Sequence, residues 1–212
     1  FEPVGYWNLT TAGAEADAFS LAALGKLNEL QKLARQHSGF LTTKHENGRT
    51  LLHWATASGQ CHVIQWLLNQ GADPDTPDNA SSLPLHLALE YKQDEAFSLL
   101  LPLTKTFESK DKYGRTPLAI AFELNHDLAI REILQKAPDS ASKQRMLNEE
   151  FTNFIRQGNS KPMELLLQLG ADGKGKAENG QTALHVTVKT SLTQTKRLLE
   201  LGMDANAKDL EG

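Results

Sequence analysis

The chain has a single cysteine in 212 residues, no excess of positive charge, and no apolar run near the roughly eighteen residues a membrane-spanning helix needs. Each shortage closes off a class of protein. Cys61 alone cannot form an intrachain disulfide, which points to a reducing compartment, cytoplasmic first and nuclear second. Lacking a long apolar run, the chain is expected to have no membrane span. With 22 Lys and Arg against 26 Asp and Glu, the net charge is −4. Phosphate neutralisation needs a clustered cationic excess, so nucleic acid is not the expected partner. A charged-then-apolar signal segment is also missing, and the chain opens on Phe1, so it reads as a piece of a longer protein. Asn8-Leu9-Thr10 and Asn79-Ala80-Ser81 fit the glycosylation acceptor pattern, but without a secretory signal both read as chance matches.

Catalytic signatures are scarce as well. His62 follows Cys61 directly, and adjacent helix residues point in different directions. No nucleophile, base and orienting group can be picked out together. Gly173-Lys174-Gly175-Lys176 lacks the length and the Lys-Ser/Thr ending of a phosphate-binding loop and reads as a turn. No catalytic residue, cofactor or metal site is expected.

What the sequence does contain is a period. Gly48-Arg49-Thr50-Leu51-Leu52-His53-Trp54-Ala55 is echoed by Gly114-Arg115-Thr116-Pro117-Leu118-Ala119-Ile120-Ala121 and by Gly180-Gln181-Thr182-Ala183-Leu184-His185-Val186-Thr187. Thr50, Thr116 and Thr182 stand 66 apart, and Leu83-Pro84-Leu85-His86-Leu87-Ala88 falls midway between the first two, giving a period of 33. Glycine at each opening suits a turn with positive φ, and threonine offers a helix N-cap. Pro84 and Pro117 fit the first helical position. Apolar residues then recur at helical spacing, with Ala22, Ala55, Ala88 and Ala121 allowing close helix approach. A second helix follows and ends at Gly71, Gly170 or Gly202.

These residues resemble the ankyrin-repeat family, whose units open on Gly-x-Thr-Pro-Leu-His and close on Gly-Ala-Asp. Gly48 to Asp73 lacks only the proline, which is Leu51 here. The resemblance implies an all-α solenoid of about six stacked helix-turn-helix units with short β-hairpin-like turns. An N-terminal extension of residues 1–14 would precede a repeat domain over 15–212. Its units would span about 15–46, 47–79, 80–112, 113–145, 146–178 and 179–212. The fifth has lost its opening turn, so Met146 to Phe151 is expected to enter a helix directly. Asp209 to Gly212 reads as the start of a seventh unit.

The resemblance also implies a function: a scaffold or targeting module that binds a partner protein or peptide. In the family, the position after the opening box faces a concave groove, and here it holds Trp54, Leu87 and Ile120. One helical turn later come Tyr91 and Leu124. A groove so lined would suit an apolar helix or extended peptide. The turn carrying Lys112, Tyr113 and Arg115 adds a basic and aromatic tip. Asn206 resembles ankyrin asparagines that an oxygen-sensing dioxygenase hydroxylates, which would make the chain a substrate. His53, His86 and His185 occupy one repeat position, are spread along the chain, and are expected to hydrogen-bond locally rather than bind metal. Two other functions compete with the scaffold. The chain could be a regulatory or substrate-presenting segment of a larger enzyme, which flanking sequence would reveal. It could instead be a lipid- or nucleic-acid-binding surface at Lys105–Arg115, which salt dependence would reveal.

Overall fold

The computed structural model describes residues 13–36, 40–177 and 180–210, and every regular element among them is helical. Six helix pairs run in chain order. They are α1 (Gly13–Ala23) with α2 (Leu27–Gln36), α3 (Leu51–Ala57) with α4 (Cys61–Asn69), and α5 (Pro84–Glu90) with α6 (Asp94–Leu100). Then come α7 (Pro117–Glu123) with α8 (Asp127–Lys136), α9 (Ser140–Gln157) with α10 (Met163–Gln168), and α11 (Ala183–Thr190) with α12 (Leu192–Glu200). The all-α fold of helix pairs that the resemblance implies is the fold observed among the described residues. Most of the expected extension, residues 1–12, lies outside the described residues, and α1 already includes Gly13 and Ala14.

The chain packs as two compact blocks, residues 1–120 and 121–212, divided inside α7. In the N-terminal block first helices stack on first helices, α1 on α3 and α3 on α5, while the second helix α4 packs on α6. Small buried residues at Ala22, Ala55 and Ala88 make that stacking close. The C-terminal block pairs α9 with α10 and α11 with α12.

Each turn before a first helix closes the same way. His45 N–H donates to Arg49 O, Asp78 N–H to Ser82 O, Asp111 N–H to Arg115 O and Ala177 N–H to Gln181 O, all at 2.9–3.0 Å. These are the hairpin-like turns, and isolated antiparallel bridges at Lys44–Thr50 and Lys176–Thr182 mark two of them. Gly48 is needed in its turn for two reasons. Its φ is +78°, and a Cβ there would lie 2.6 Å from the backbone nitrogen of Asn79 in the next turn. Asn79 uses that closeness: its N–H donates to Asn47 O at 3.0 Å and its Nδ2 to Glu46 O at 2.9 Å.

The repeated histidine ties one turn to the next. Thr50 N–H donates to His53 Nδ1 at 3.1 Å, so Nδ1 is the acceptor and the ring proton sits on Nε2. That Nε2 then donates to Ser82 O at 3.0 Å, in the following turn. His86 repeats the arrangement: Leu83 N–H reaches its Nδ1 at 3.1 Å, and its Nε2 faces Ser109 O and Arg115 O at 3.1 and 3.2 Å. Leu83 has no side-chain oxygen to offer as a cap, so only the histidine's half of the exchange survives there.

The fifth turn is missing, and its replacement begins earlier than the sequence implies. Helix α9 starts at Ser140, six residues before Met146, because Asp139 caps it by accepting from Ser142 N–H at 2.7 Å. Two of its polar side chains take over part of the lost role. Asn148 Oδ1 accepts from Asp172 N–H at 2.7 Å, and Gln144 Nε2 donates to Gly170 O.

Candidate partner-binding surface

The side chains expected in the groove divide by depth. Leu87 and Ile120 are 0% and 1% exposed, so they are core residues and offer nothing to a partner; this corrects the expectation for both. Leu87 sits mid-helix in α5, on a segment buried from Pro84 to Leu89, and an aliphatic side chain there gains more from the interior than from water. Trp54 is half-buried. Its ring lies 5.5 Å from His45 and 6.4 Å from Phe19, and its indole Nε1 is buried with no hydrogen-bond partner among the described residues. That ring serves packing between α1 and α3 more than it serves a free surface. Nothing in short-range sequence spacing announces the cluster, since its three rings come from separate segments.

One helical turn later the side chains emerge. Tyr91, the C-cap of α5, is 50% exposed. Leu124, at the same register in the C-terminal block, is also exposed. The following backbone position is left-handed in both repeats, at Lys92 (φ +54°) and Asn125 (φ +52°), where Gly25, Gly59 and Gly158 stand in others. The sequence shows this substitution plainly at Lys92 but not what it does.

The tip at Lys112, Tyr113 and Arg115 is built by one carboxylate. Asp111 Oδ1 accepts from the backbone N–H groups of Tyr113 and Arg115 at 2.8 and 2.9 Å. Its Oδ2 takes Arg115 Nε at 2.8 Å and Nη2 at 2.6 Å. Arg115 Nη2 also bonds Glu90. Burial alone would lower the guanidinium's pKa, but the hydrogen bonds and charges of Asp111 and Glu90 outweigh it and raise it. The cation lies 5.1 Å from the Tyr113 ring, and Lys112 Nζ lies 4.9 Å from the same ring. Tyr113 itself is 66% exposed. Through Glu90, Arg115 ties this tip to the last turn of α5, whose C-cap is Tyr91. Lys112 N–H donates to Ala80 O at 2.8 Å and fastens this tip to the previous turn.

Burial, then the Glu95 carboxylate, push the Cys61 thiol's pKa up, opposite to what an activated nucleophile needs. Among the described residues no group of three His, Cys, Asp or Glu side chains could hold a metal ion, and no helix is long and apolar enough to cross a membrane. Asn206 is exposed, and its N–H donates to Asp204 Oδ1 at 2.9 Å.

Comparisons with known proteins agree with the fold. A chain segment of 165 residues is 27% identical to the human transient receptor potential cation channel subfamily A member 1, covering 74% of this chain and 15% of that protein. Another match, 25% identical over 157 residues, is an L-asparaginase from Dirofilaria immitis, covering 74% of this chain and 26% of that protein. The chain thus spans about a quarter or less of these relatives. Among solved structures, the ankyrin repeat domain of Bcl-3 superposes with a TM-score of 0.73 at 20% identity, over 92% of this chain and 89% of that one. Residues 52–144 match the family model for ankyrin repeats in three copies, so that part of the chain is built of ankyrin repeats.

Proposed function

We propose that the chain is a protein-binding module whose contact surface in the N-terminal block centres on Tyr91, Tyr113, Lys112 and Arg115. Ankyrin repeats are generally protein–protein interaction modules, and the supporting observation here is the pair of exposed tyrosines tied together through Arg115 and Glu90. Exposed aromatic rings on a rigid frame lose little entropy on binding and commonly act as anchors. Trp54, packed against Phe19 and His45, belongs to the framework rather than to this surface. The lone Cys61 favours a reducing compartment, cytoplasmic or nuclear.

The test is affinity capture with the intact chain, followed by titration of the captured protein against the Tyr91→Ala/Tyr113→Ala double variant. Binding should weaken by at least about 2 kcal/mol, while the helical circular dichroism is unchanged. Equal affinity would remove this surface from consideration.

A second reading rests on the partial match to the L-asparaginase: the same surface would dock against, or present a substrate to, another part of a larger protein. Asn206 is also proposed as a hydroxylation position, on its exposure in an Asp-x-Asn turn. Intact mass after incubation with an asparaginyl dioxygenase should then rise by one oxygen, and an unchanged mass would dispose of the idea.

A further inference from the structure

We infer that the patch of Tyr91, Lys92, Lys112 and Tyr113 selects acidic protein segments, in which side-chain carboxylates stand beside an apolar residue. This rests on the reading above and deepens it.

The neighbouring charges set the sign. Arg115 is fully engaged by Asp111 and Glu90, and Asp111 is buried with both oxygens occupied. Those three groups, one cation and two carboxylates, are held against one another with a net charge of −1, which the two remaining cations of the patch exceed. Two cations remain. Lys112 Nζ has the Tyr113 ring as its contact, and among the described residues neither Lys112 nor Lys92 makes an ion pair. A cation over a ring still carries its full charge toward solvent and can pair with a carboxylate approaching along the ring edge.

Lys92 carries the second strand of support. Its φ of +54° lies in the left-handed region that favours glycine, and three other repeats place glycine there. The turn does not require lysine. What lysine contributes is a solvent-facing ammonium one residue after Tyr91. Preorganisation completes the site, since Lys112 N–H is fastened to Ala80 O and Tyr113 N–H to Asp111. A nucleic acid would need many more free cations than two on a chain of net charge −4, so a protein segment is the ligand favoured.

Short random peptides displayed on phage provide the test, selected on the intact chain. Peptides whose binding is lost on Tyr91→Ala/Tyr113→Ala should be enriched in Asp and Glu. A synthetic copy should bind the Lys92→Glu/Lys112→Glu variant at least about tenfold more weakly, and the same peptide with Glu replaced by Lys should recover on that variant. All four substituted residues are exposed, and an unchanged thermal melt confirms that the variants fold. Tyrosine-dependent peptides without acidic bias, or indifferent to the lysine reversal, would overturn the acidic preference while leaving protein binding intact. Failure to recover any tyrosine-dependent peptide would overturn both. Salt-sensitive binding of a single-stranded oligonucleotide through the same two lysines would overturn the choice of a protein ligand.

Discussion

The two blocks use the same repeat but hold it together differently. In the N-terminal block three hairpin-like turns follow one another at 45–49, 78–82 and 111–115. Asn79, His53 and His86 stitch each to the next. Among its described residues the C-terminal block shows one such closing bond, Ala177 N–H to Gln181 O, and in place of another turn it has the first turns of α9 with Gln144 and Asn148 as braces. Stacked repeats contribute both intrinsic and interfacial stability, so a regular register should concentrate stability where turns and histidines are intact. It also fixes the patch at Tyr91 and Tyr113 on the more regular framework. Trp54 and Trp66 lie in the N-terminal block and no tryptophan follows residue 66, so tryptophan fluorescence follows that block separately from the circular dichroism of the whole chain.

The sharpest contrast concerns one register position. Leu89 is 1% exposed, whereas Val188, six residues after the corresponding N-cap in the last repeat, is 67% exposed. Leu89→Lys should destabilise the N-terminal block by at least about 4 kcal/mol, because it buries an unpaired charge. Val188→Lys should stay within about 0.5 kcal/mol of the parent. Urea titrations read by both signals check the pair, and similar losses at the two positions would break the distinction.

Acid separates the blocks next. Burial lowers the pKa of His53 from 6.5 to about 4, against the opposing pull of its bond to Ser82 and the charge of Asp78; Arg49 and Lys44 add smaller repulsions. Burial lowers His86 as well. Between pH 6.5 and 4 the unfolded chain binds the proton that folded His53 refuses. Stability present above pH 6.5 is therefore lost as pH falls through that window, and His53 contributes no further loss below it. The shift corresponds to about 3 kcal/mol. Tryptophan-detected urea midpoints measured across pH 7 to 4 should fall, and His53→Asn should flatten the fall. A midpoint independent of pH would show that the ring is not sealed from water.

Glycines sharpen the same comparison at lower energy. Gly48→Ala meets both a positive φ and the backbone of Asn79, so about 2 kcal/mol is expected. Gly202→Ala meets a positive φ alone, with nothing within 4 Å, so about 1 kcal/mol is expected. Equal losses in thermal melts would mean that the turn-to-turn contact at Asn79 contributes nothing.

Much of this was legible in the residues. The 33-residue spacing of Thr50, Leu83 and Thr116 gave the helix pairs, and the glycines gave the turns, because both are local chemistry repeated in place. Burial was harder to read. Leu87 and Trp54 occupy one repeat position, yet the first is core and the second is half-covered by Phe19 and His45 from distant segments. Periodicity specifies which face of a helix a residue occupies but not how far its neighbours reach over it. Arg115 is visible as a basic residue four positions after Asp111, but its second carboxylate partner, Glu90, lies 25 residues away in sequence.

The smallest effect tests the substitute braces of the C-terminal block. Asn148 Oδ1 accepts from both Asp172 N–H and Gln144 Nε2, so Asn148→Ala releases two donors in one step. The bonds are exposed, and water replaces most of what is lost, so a cost near 1 kcal/mol or less is expected. Its signature should be local. Amide exchange at Asp172 should quicken while exchange at Asn79, in the N-terminal block, stays as before. Should Asp172 exchange unchanged, the extra turns of α9 would hold the chain through packing at Met146 and Leu147 alone, and the side-chain bonds would be incidental to replacing the missing turn.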